Sequence, residues 1–226
     1  MIKRINHRVY TNDYINKNQY GFTPQLSTID AVMAVKDSVE DGFNSGEVAT
    51  LVSLDVEGAF HSAWWPNILK SIKESGCPRN LYNLTRSYFS QRQAALQTNN
   101  IRFETEVTIG CPQGSCAGPG LWNLQYNSLL NFNFTNRTKA IAFADELIII
   151  TRGKTVREAE NIANIELSKI FLWAKDNKIR FNEQKSKSML LTRRKRRERK
   201  ELEIYLNYKP LMHVYRLKYL GIIIHS

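Results

Sequence analysis

The sequence predicts an α+β fold, an antiparallel sheet backed by helices. Two observations carry that expectation. Apolar runs of strand length, Leu51-Val52-Ser53-Leu54 and Leu147-Ile148-Ile149-Ile150, each abut a carboxylate. Elsewhere apolar residues recur at helical spacing, most clearly Ala159, Ala163, Leu167, Phe171 and Ala174.

The elements follow in order. Residues 1–26 are polar and aromatic with no clear period. Ser27 or Thr28 caps a helix to about Ser45, with Ala31, Val35, Val39 and Phe43 on one face and Gly46 as its stop. Val48–Val56 reads as a buried strand. Pro66 opens a short helix ending at Gly76, and Pro78 opens another carrying Leu81, Leu84 and Tyr88. Gln93–Thr98 and Glu104–Ile109 suggest a hairpin around Asn99-Asn100. A glycine- and proline-rich loop, Gly110–Gly120, precedes a helix with Leu121, Leu124, Ser128 and Phe132. Ala140–Thr151 forms an acidic hairpin. Thr155 and Glu158 have the spacing of a capping box. Met189–Thr192 is a strand, and Glu203–Ile224 is mostly extended.

The chain has 226 residues, enough for one large core or two modest subdomains. Its net charge of +11 points to a polyanionic partner, although a charged solvated face alone would also produce it. The run Arg193–Lys200 holds seven basic residues and one acid, more than half of that excess. It fits a solvated loop, a phosphate-contacting loop or a nuclear-localisation element. Cys77, Cys111 and Cys116 make no Cys-x-x-Cys pair. Their odd number, without a signal peptide, argues for a reducing compartment. The four histidines do not cluster with them, which disfavours zinc. No apolar run reaches transmembrane length, and no membrane partner is expected.

The chemistry-bearing residues are carboxylates. Asp55 ends one apolar run, and Asp145 sits with Glu146 in the tight turn of the acidic hairpin. If those strands are neighbours, the acids face one cleft. Carboxylates on rigid strands are hard oxygen ligands suited to magnesium. Taken singly, each is also an ordinary turn former at a strand end.

Ordered segments over nearly the whole chain resemble the motifs of reverse transcriptases, in particular those of non-LTR (LINE-type, R1-like) retrotransposons. Gln19-Tyr20-Gly21-Phe22 with Ser27-Thr28 resembles the fingers motif. Leu54-Asp55-Val56-Glu57-Gly58-Ala59-Phe60 resembles motif A, and Trp64-Trp65 suits that clade. Gly110-Cys111-Pro112-Gln113-Gly114-Ser115 resembles motif B. Phe143-Ala144-Asp145-Glu146 resembles motif C, Asn182–Lys187 motif D, and Tyr219-Leu220-Gly221 motif E, the primer grip.

The resemblance implies a polymerase palm and RNA-directed DNA synthesis by two-metal nucleotidyl transfer. The expected partners are an RNA template, a DNA primer and deoxynucleoside triphosphates, with two Mg²⁺ ions for which Mn²⁺ can substitute. Asp55 and Asp145 would be metal ligands, helped by the Val56 carbonyl, with Glu146 as a third acid. Phe60 would be the steric gate that excludes a 2′-hydroxyl. Gln113 and Gly114 would lie along template and nucleotide. Lys185 or Lys187 would approach the triphosphate, with the choice open. The implied division is a partial fingers segment, 1–47, and a palm, 48–226, with a fingers insertion at about 77–112.

Departures from the pattern matter. Glu146 replaces the usual second Asp of motif C. The fingers motif reads Gly21-Phe22-Thr23-Pro24-Gln25 where Gly-Phe-Arg-x-Gly is usual, and His61 follows the gate. The chain stops soon after the primer grip, which leads us to expect no thumb. A decayed fragment that only binds nucleic acid is therefore the alternative. A related palm enzyme, such as an intron maturase or a viral RNA-dependent polymerase, is a third reading, and Phe60 disfavours RNA synthesis. Host, cellular location and oligomeric state stay open.

Overall fold

The computed structural model describes residues 1–98, 101–193 and 201–226. Asn99-Asn100 and most of the basic run, 194–200, lie outside the described residues. In chain order the helices are α1 (Ile2–Thr11), α2 (Thr28–Asn44), α3 (Trp65–Glu74), α4 (Arg79–Phe89), α5 (Gly118–Leu130) and α6 (Val156–Asp176). The strands are β1 (Val48–Leu54), β2 (Gln93–Thr98), β3 (Ile101–Glu106), β4 (Thr138–Phe143), β5 (Glu146–Gly153), β6 (Lys187–Leu191), β7 (Tyr205–Leu206), β8 (Lys209–Pro210), β9 (Met212–His213), β10 (Arg216–Tyr219) and β11 (Ile222–His225). None of the described helices is long and apolar enough to cross a membrane.

The chain divides into two compact units, Met1–Asn16 with Gly58–Ser128, and Lys17–Glu57 with Leu129–Ser226. In the first, α1 contributes Ile5 and Val9 to a core shared with Ile68 and Ile72 of α3, Leu81 and Phe89 of α4, and Leu121 and Leu124 of α5. Trp65 stacks on Phe89 with centroids 4.9 Å apart, and its indole N–H donates to the Gly110 carbonyl at 2.7 Å. Residues 1–26 show no clear period in the sequence, yet a helix forms within them. Ile2, Ile5 and Val9 recur one turn apart, and that short stripe makes α1. The hairpin also differs from expectation. β2 falls where expected, but its partner begins at Ile101 rather than Glu104, because Leu96 pairs with Phe103.

In the second unit the described residues form a sheet in the order β4–β5–β1–β6–β9. Contacts are antiparallel except at the β6–β9 edge, where Lys187 and Ser188 run parallel to Met212 and His213. The expected all-antiparallel sheet is therefore mixed at one edge. The chain leaves β6 and returns through the β7–β8 hairpin, a connection long enough to restore its direction. β1 is central, and its Ala49 and Leu51 meet Ile148 and Ile150 of β5 and Ala31, Val35 and Val39 of α2 in one core. Alternation along a strand assigns the opposite face to Thr50, Val52 and Leu54. There the Thr50 and Thr151 hydroxyls meet at 2.5 Å, and Thr151 donates onward to the Ala159 carbonyl of α6 at 2.9 Å.

The helix starts show how capping chemistry chooses among candidates. Ser27 accepts from the Asp30 N–H while Asp30 accepts from the Ser27 N–H at 2.7 Å, a reciprocal box. At α6 only half of the expected box forms. Thr155 accepts from the Glu158 N–H, but the Glu158 carboxylate instead accepts from the Lys154 N–H and pairs with Arg137. Along α6, Ile170 and Trp173 join Ala163, Leu167 and Ala174 on the buried face, while Phe171 is only half-buried.

Candidate active site

β1 and β5 pair from Val48↔Gly153 to Leu54↔Leu147. One step beyond the last pair stand Asp55 and Glu146, at the same end of the sheet. β4 and β5 close through Phe143↔Glu146, leaving Ala144 and Asp145 as a two-residue turn. Ala144 takes φ +56, a left-handed backbone that tight hairpin turns require. The topology thus brings the three acids to one edge.

That edge is braced on two sides. The Gln19–Gly21 segment lies along the hairpin: Tyr20 N–H donates to the Ala142 carbonyl at 2.8 Å, and Ala142 N–H donates to the Asn18 carbonyl at 2.9 Å. A Cβ at Gly21 would stand 2.0 Å from the Ala144 nitrogen, so only glycine permits this approach. On the other side, Asp55 is held through its backbone. Its N–H donates to Ser186 Oγ at 3.3 Å, and its carbonyl accepts from the Asn182 N–H at 2.7 Å. Glu57 N–H donates to the Arg180 carbonyl at 2.8 Å. Val56 therefore forms a non-hydrogen-bonded antiparallel pair with Phe181, and its own carbonyl turns away from that partner. The Asn182 side chain accepts from the N–H groups of Gln184 and Lys185, which shapes the turn that presents Ser186.

The acids influence one another. The Glu146 carboxyl is pushed above its ordinary value, by surrounding protein first, then by the charges of Asp145 and Asp55. Glu146 as a residue is exposed, so solvent blunts the burial part, while the two neighbouring charges remain. Lys185 sends Nζ to 3.8 Å from Asp55 Oδ1. Lys187 sits within β6, opposite Ser53. Behind the acids, β10 and β11 join through Leu220 (φ +48) and Gly221 (φ +85). Tyr219 is buried, and its hydroxyl has no hydrogen-bond partner among the described residues. Burial, then Glu146 and Tyr20, push its ionisation upward, so it stays a neutral phenol.

The remaining sequence-derived candidates belong to the first unit. Phe60 lies in a 3-10 turn, Ala59–Ser62, with its ring 6.3 Å from that of Trp122. Its carbonyl accepts from the Cys111 N–H at 2.7 Å, and Ala63's accepts from the Gly110 N–H at 2.8 Å, which straps this turn to the start of the Gly110–Gly120 loop. Gln113 and Gly114 are exposed in that loop, and Ser115 Oγ accepts from the Gly118 N–H at 3.0 Å.

Among the described residues no three His, Cys, Asp or Glu side chains close around a point that could hold a metal ion. The donor chemistry nevertheless suits a hard divalent cation. The acids are oxygen ligands whose mutual repulsion is felt at Glu146, and a cation would relieve it. Sequence reasoning misses Ser186 as the support of Asp55 and Gly21 as the support of the acidic turn. Both contacts are non-local, and only the Asn-x-x-x-Ser spacing of the turn hints at the first.

The family model for reverse transcriptase (RNA-dependent DNA polymerase) matches residues 1–224. The chain belongs to the reverse transcriptase family. It is 31% identical over 137 residues to a putative 115 kDa protein in the type-1 retrotransposable element R1DM of Drosophila melanogaster, covering 61% of this chain and 13% of that protein. It is 25% identical over 235 residues to the RNA-directed DNA polymerase from the mobile element jockey of Drosophila funebris, covering 99% of this chain and 25% of that one. The chain thus spans a quarter or less of these relatives. Among solved structures, apo telomerase from Candida tropicalis superposes with a TM-score of 0.67 at 10% identity, over 99% of this chain and 42% of the other. That likeness is one of fold, a palm with a mixed sheet backed by helices.

Proposed function

We propose that the chain is the RNA-directed DNA polymerase region of a non-LTR retroelement protein. The observation that supports this best is the β1–β5 register, which sets Asp55 across from Glu146 with Asp145 in the adjoining turn. In this reading Asp55 and Asp145 would hold two Mg²⁺ ions, with Mn²⁺ able to substitute, and the Val56 carbonyl and Glu146 would complete the oxygen set. When bound, the metals would activate a primer 3′-hydroxyl and neutralise the leaving pyrophosphate. The chain's own residues orient and select. Asp55 is kept in place by Ser186 and Asn182. Lys185, already drawn to Asp55, is a better candidate than Lys187 to meet the triphosphate. Phe60 bars the 2′-hydroxyl of an incoming nucleotide, and Gln113 and Gly114 line its path. Tyr219, Leu220 and Gly221 support the primer end on a tight hairpin anchored by the buried Tyr219. Residues 1–47 act as partial fingers and 48–226 as palm, with a fingers insertion at about 77–112.

Primer extension on a poly(rA)/oligo(dT) hybrid tests this reading, with Mg²⁺ and then Mn²⁺. Extension abolished by Asp145→Ala supports it. Extension seen only in Glu146→Asp marks a palm disabled by one methylene. Binding of the hybrid without extension by any variant overturns it in favour of a nucleic-acid-binding remnant. Phe60→Ala should admit ribonucleotides, and unchanged discrimination would remove Phe60 as the gate.

A further inference from the structure

The second unit contains a cavity of about 560 Å³ whose lining includes none of Asp55, Asp145 and Glu146. It opens where α6 ends and the chain turns back toward Phe181. Lys175, Lys178 and Arg180 supply three cations to its lining. Of the two lining acids, Glu183 is already engaged: Lys209 Nζ reaches it at 2.5 Å and Asn207 donates to it at 2.9 Å. Glu57 is the other. The wall is therefore net positive, and Phe171 and Phe181 give it aromatic surface.

A second observation lies beside it. Asn207 (φ +51) and Tyr208 (φ +61) form the turn between β7 and β8, and Asn207 lines the cavity. The two-residue turn itself requires a left-handed backbone, and tyrosine is an uncommon choice there. The ring gains little burial in return, because Tyr208 is 92% exposed. It stands edge-on to Phe171, with centroids 6.5 Å apart. Cations beside accessible aromatic rings are the means by which proteins hold unpaired nucleic acid, the rings stacking on bases and the cations meeting phosphates.

We propose that this cavity binds one nucleotide unit of an unpaired polynucleotide strand, with the base against Tyr208 and Phe171 and the phosphate among Lys175, Lys178 and Arg180. A duplex is excluded by the same chemistry, since its bases are already stacked and paired. The site does not depend on polymerase activity, because binding is read without extension.

The test uses the full chain with a saturating blunt primer–template hybrid and a fluorescein-labelled unpaired oligo(rU), followed by anisotropy. Tyr208→Ala should weaken binding roughly tenfold, and Tyr208→Phe should restore it. Lys175→Gln with Lys178→Gln should flatten the salt dependence by about 0.7 in log–log slope for each phosphate no longer neutralised. Lys36→Gln, on α2, should change neither. Competition by uridine monophosphate would make a free nucleotide the sufficient ligand, and its failure would assign the strand. A 4-thiouridine oligonucleotide should cross-link to peptides containing residues 171–181 or 205–208. Cross-links confined elsewhere, or binding indifferent to Tyr208→Ala, would overturn the proposal.

Discussion

Asp55 and Ser186 are joined by a hydrogen bond from the Asp55 N–H to the Ser186 hydroxyl, 3.3 Å long. The same hydroxyl donates to the Asn182 carbonyl at 2.7 Å, and Asn182 N–H donates to the Asp55 carbonyl. Asp55 is thus fixed at both its N–H and its carbonyl by one turn.

Ser186→Ala should therefore act on position more than on charge. Ser186 is fully buried, so loss of its hydroxyl leaves the Asp55 amide unsatisfied, costing about 1–3 kcal/mol, while the Asn182 carbonyl keeps the Ser186 backbone N–H at 2.9 Å. For a chain of this size that lowers Tm by roughly 2–4 °C per kcal/mol. A shift of the carboxylate near 1 Å would reduce extension by up to about a hundredfold. Denaturation and extension assays on the same preparation check both effects, and unchanged extension would show that Asp55 does not need this support.

Gly21→Ala should cost more than Gly46→Ala. The first drives a Cβ to 2.0 Å from the Ala144 nitrogen, while at Gly46 (φ +70) nothing lies within 4 Å of the new atom. Left-handed strain alone makes Gly46→Ala cost about 1–2 kcal/mol. Overpacking against backbone should take Gly21→Ala to about 3 kcal/mol with loss of extension. Equal urea midpoints for the two variants would contradict the close approach.

Glu146 carries a raised pKa, so the folded chain binds its proton more tightly than the unfolded chain does. Its stabilising share is complete below the ordinary value near 4.5 and is lost as pH rises through the raised value. Glu146→Gln should then gain stability relative to the parent at pH 7, and the gain should vanish near pH 4. Salt should shrink the difference, because part of it comes from the charges of Asp145 and Asp55, which are only half-buried. Urea titrations at the two pH values decide this.

The buried threonine pair should respond unequally. Thr151 donates to the Ala159 carbonyl, so Thr50 must be the donor in the Thr50–Thr151 contact. Thr151→Val strands the buried Thr50 hydroxyl, while the Ala159 carbonyl keeps its helical N–H partner, and should cost about 1–3 kcal/mol. Thr50→Val leaves Thr151 its bond to Ala159 and should cost less than about 1 kcal/mol. Reversed costs would show that the donor assignment is wrong.

Much of this is legible in the sequence because it is local. Ser27 or Thr28 announces α2, the run from Val48 to Val56 announces a buried strand, and the acidic turn at Asp145 announces a hairpin. What escapes is either short or distant. Ile2, Ile5 and Val9 span too few turns to stand out among polar neighbours. Thr155 and Glu158 have the spacing of a full cap, but Arg137 and the Lys154 N–H compete for the carboxylate. Asp55 and Asp145 are expected at one cleft, whereas the Gly21 and Ser186 contacts that brace that edge join segments no local pattern links.

The contact of Gly21 with Ala144 bears on how decay of such elements should be judged. Here a glycine far upstream shares its space with the backbone that carries Asp145. A copy with every carboxylate intact but alanine at 21 would look competent on inspection and yet be silent. Mutational drift can extinguish this palm without touching an acid, so any census of living and dead copies should score position 21 alongside the carboxylates.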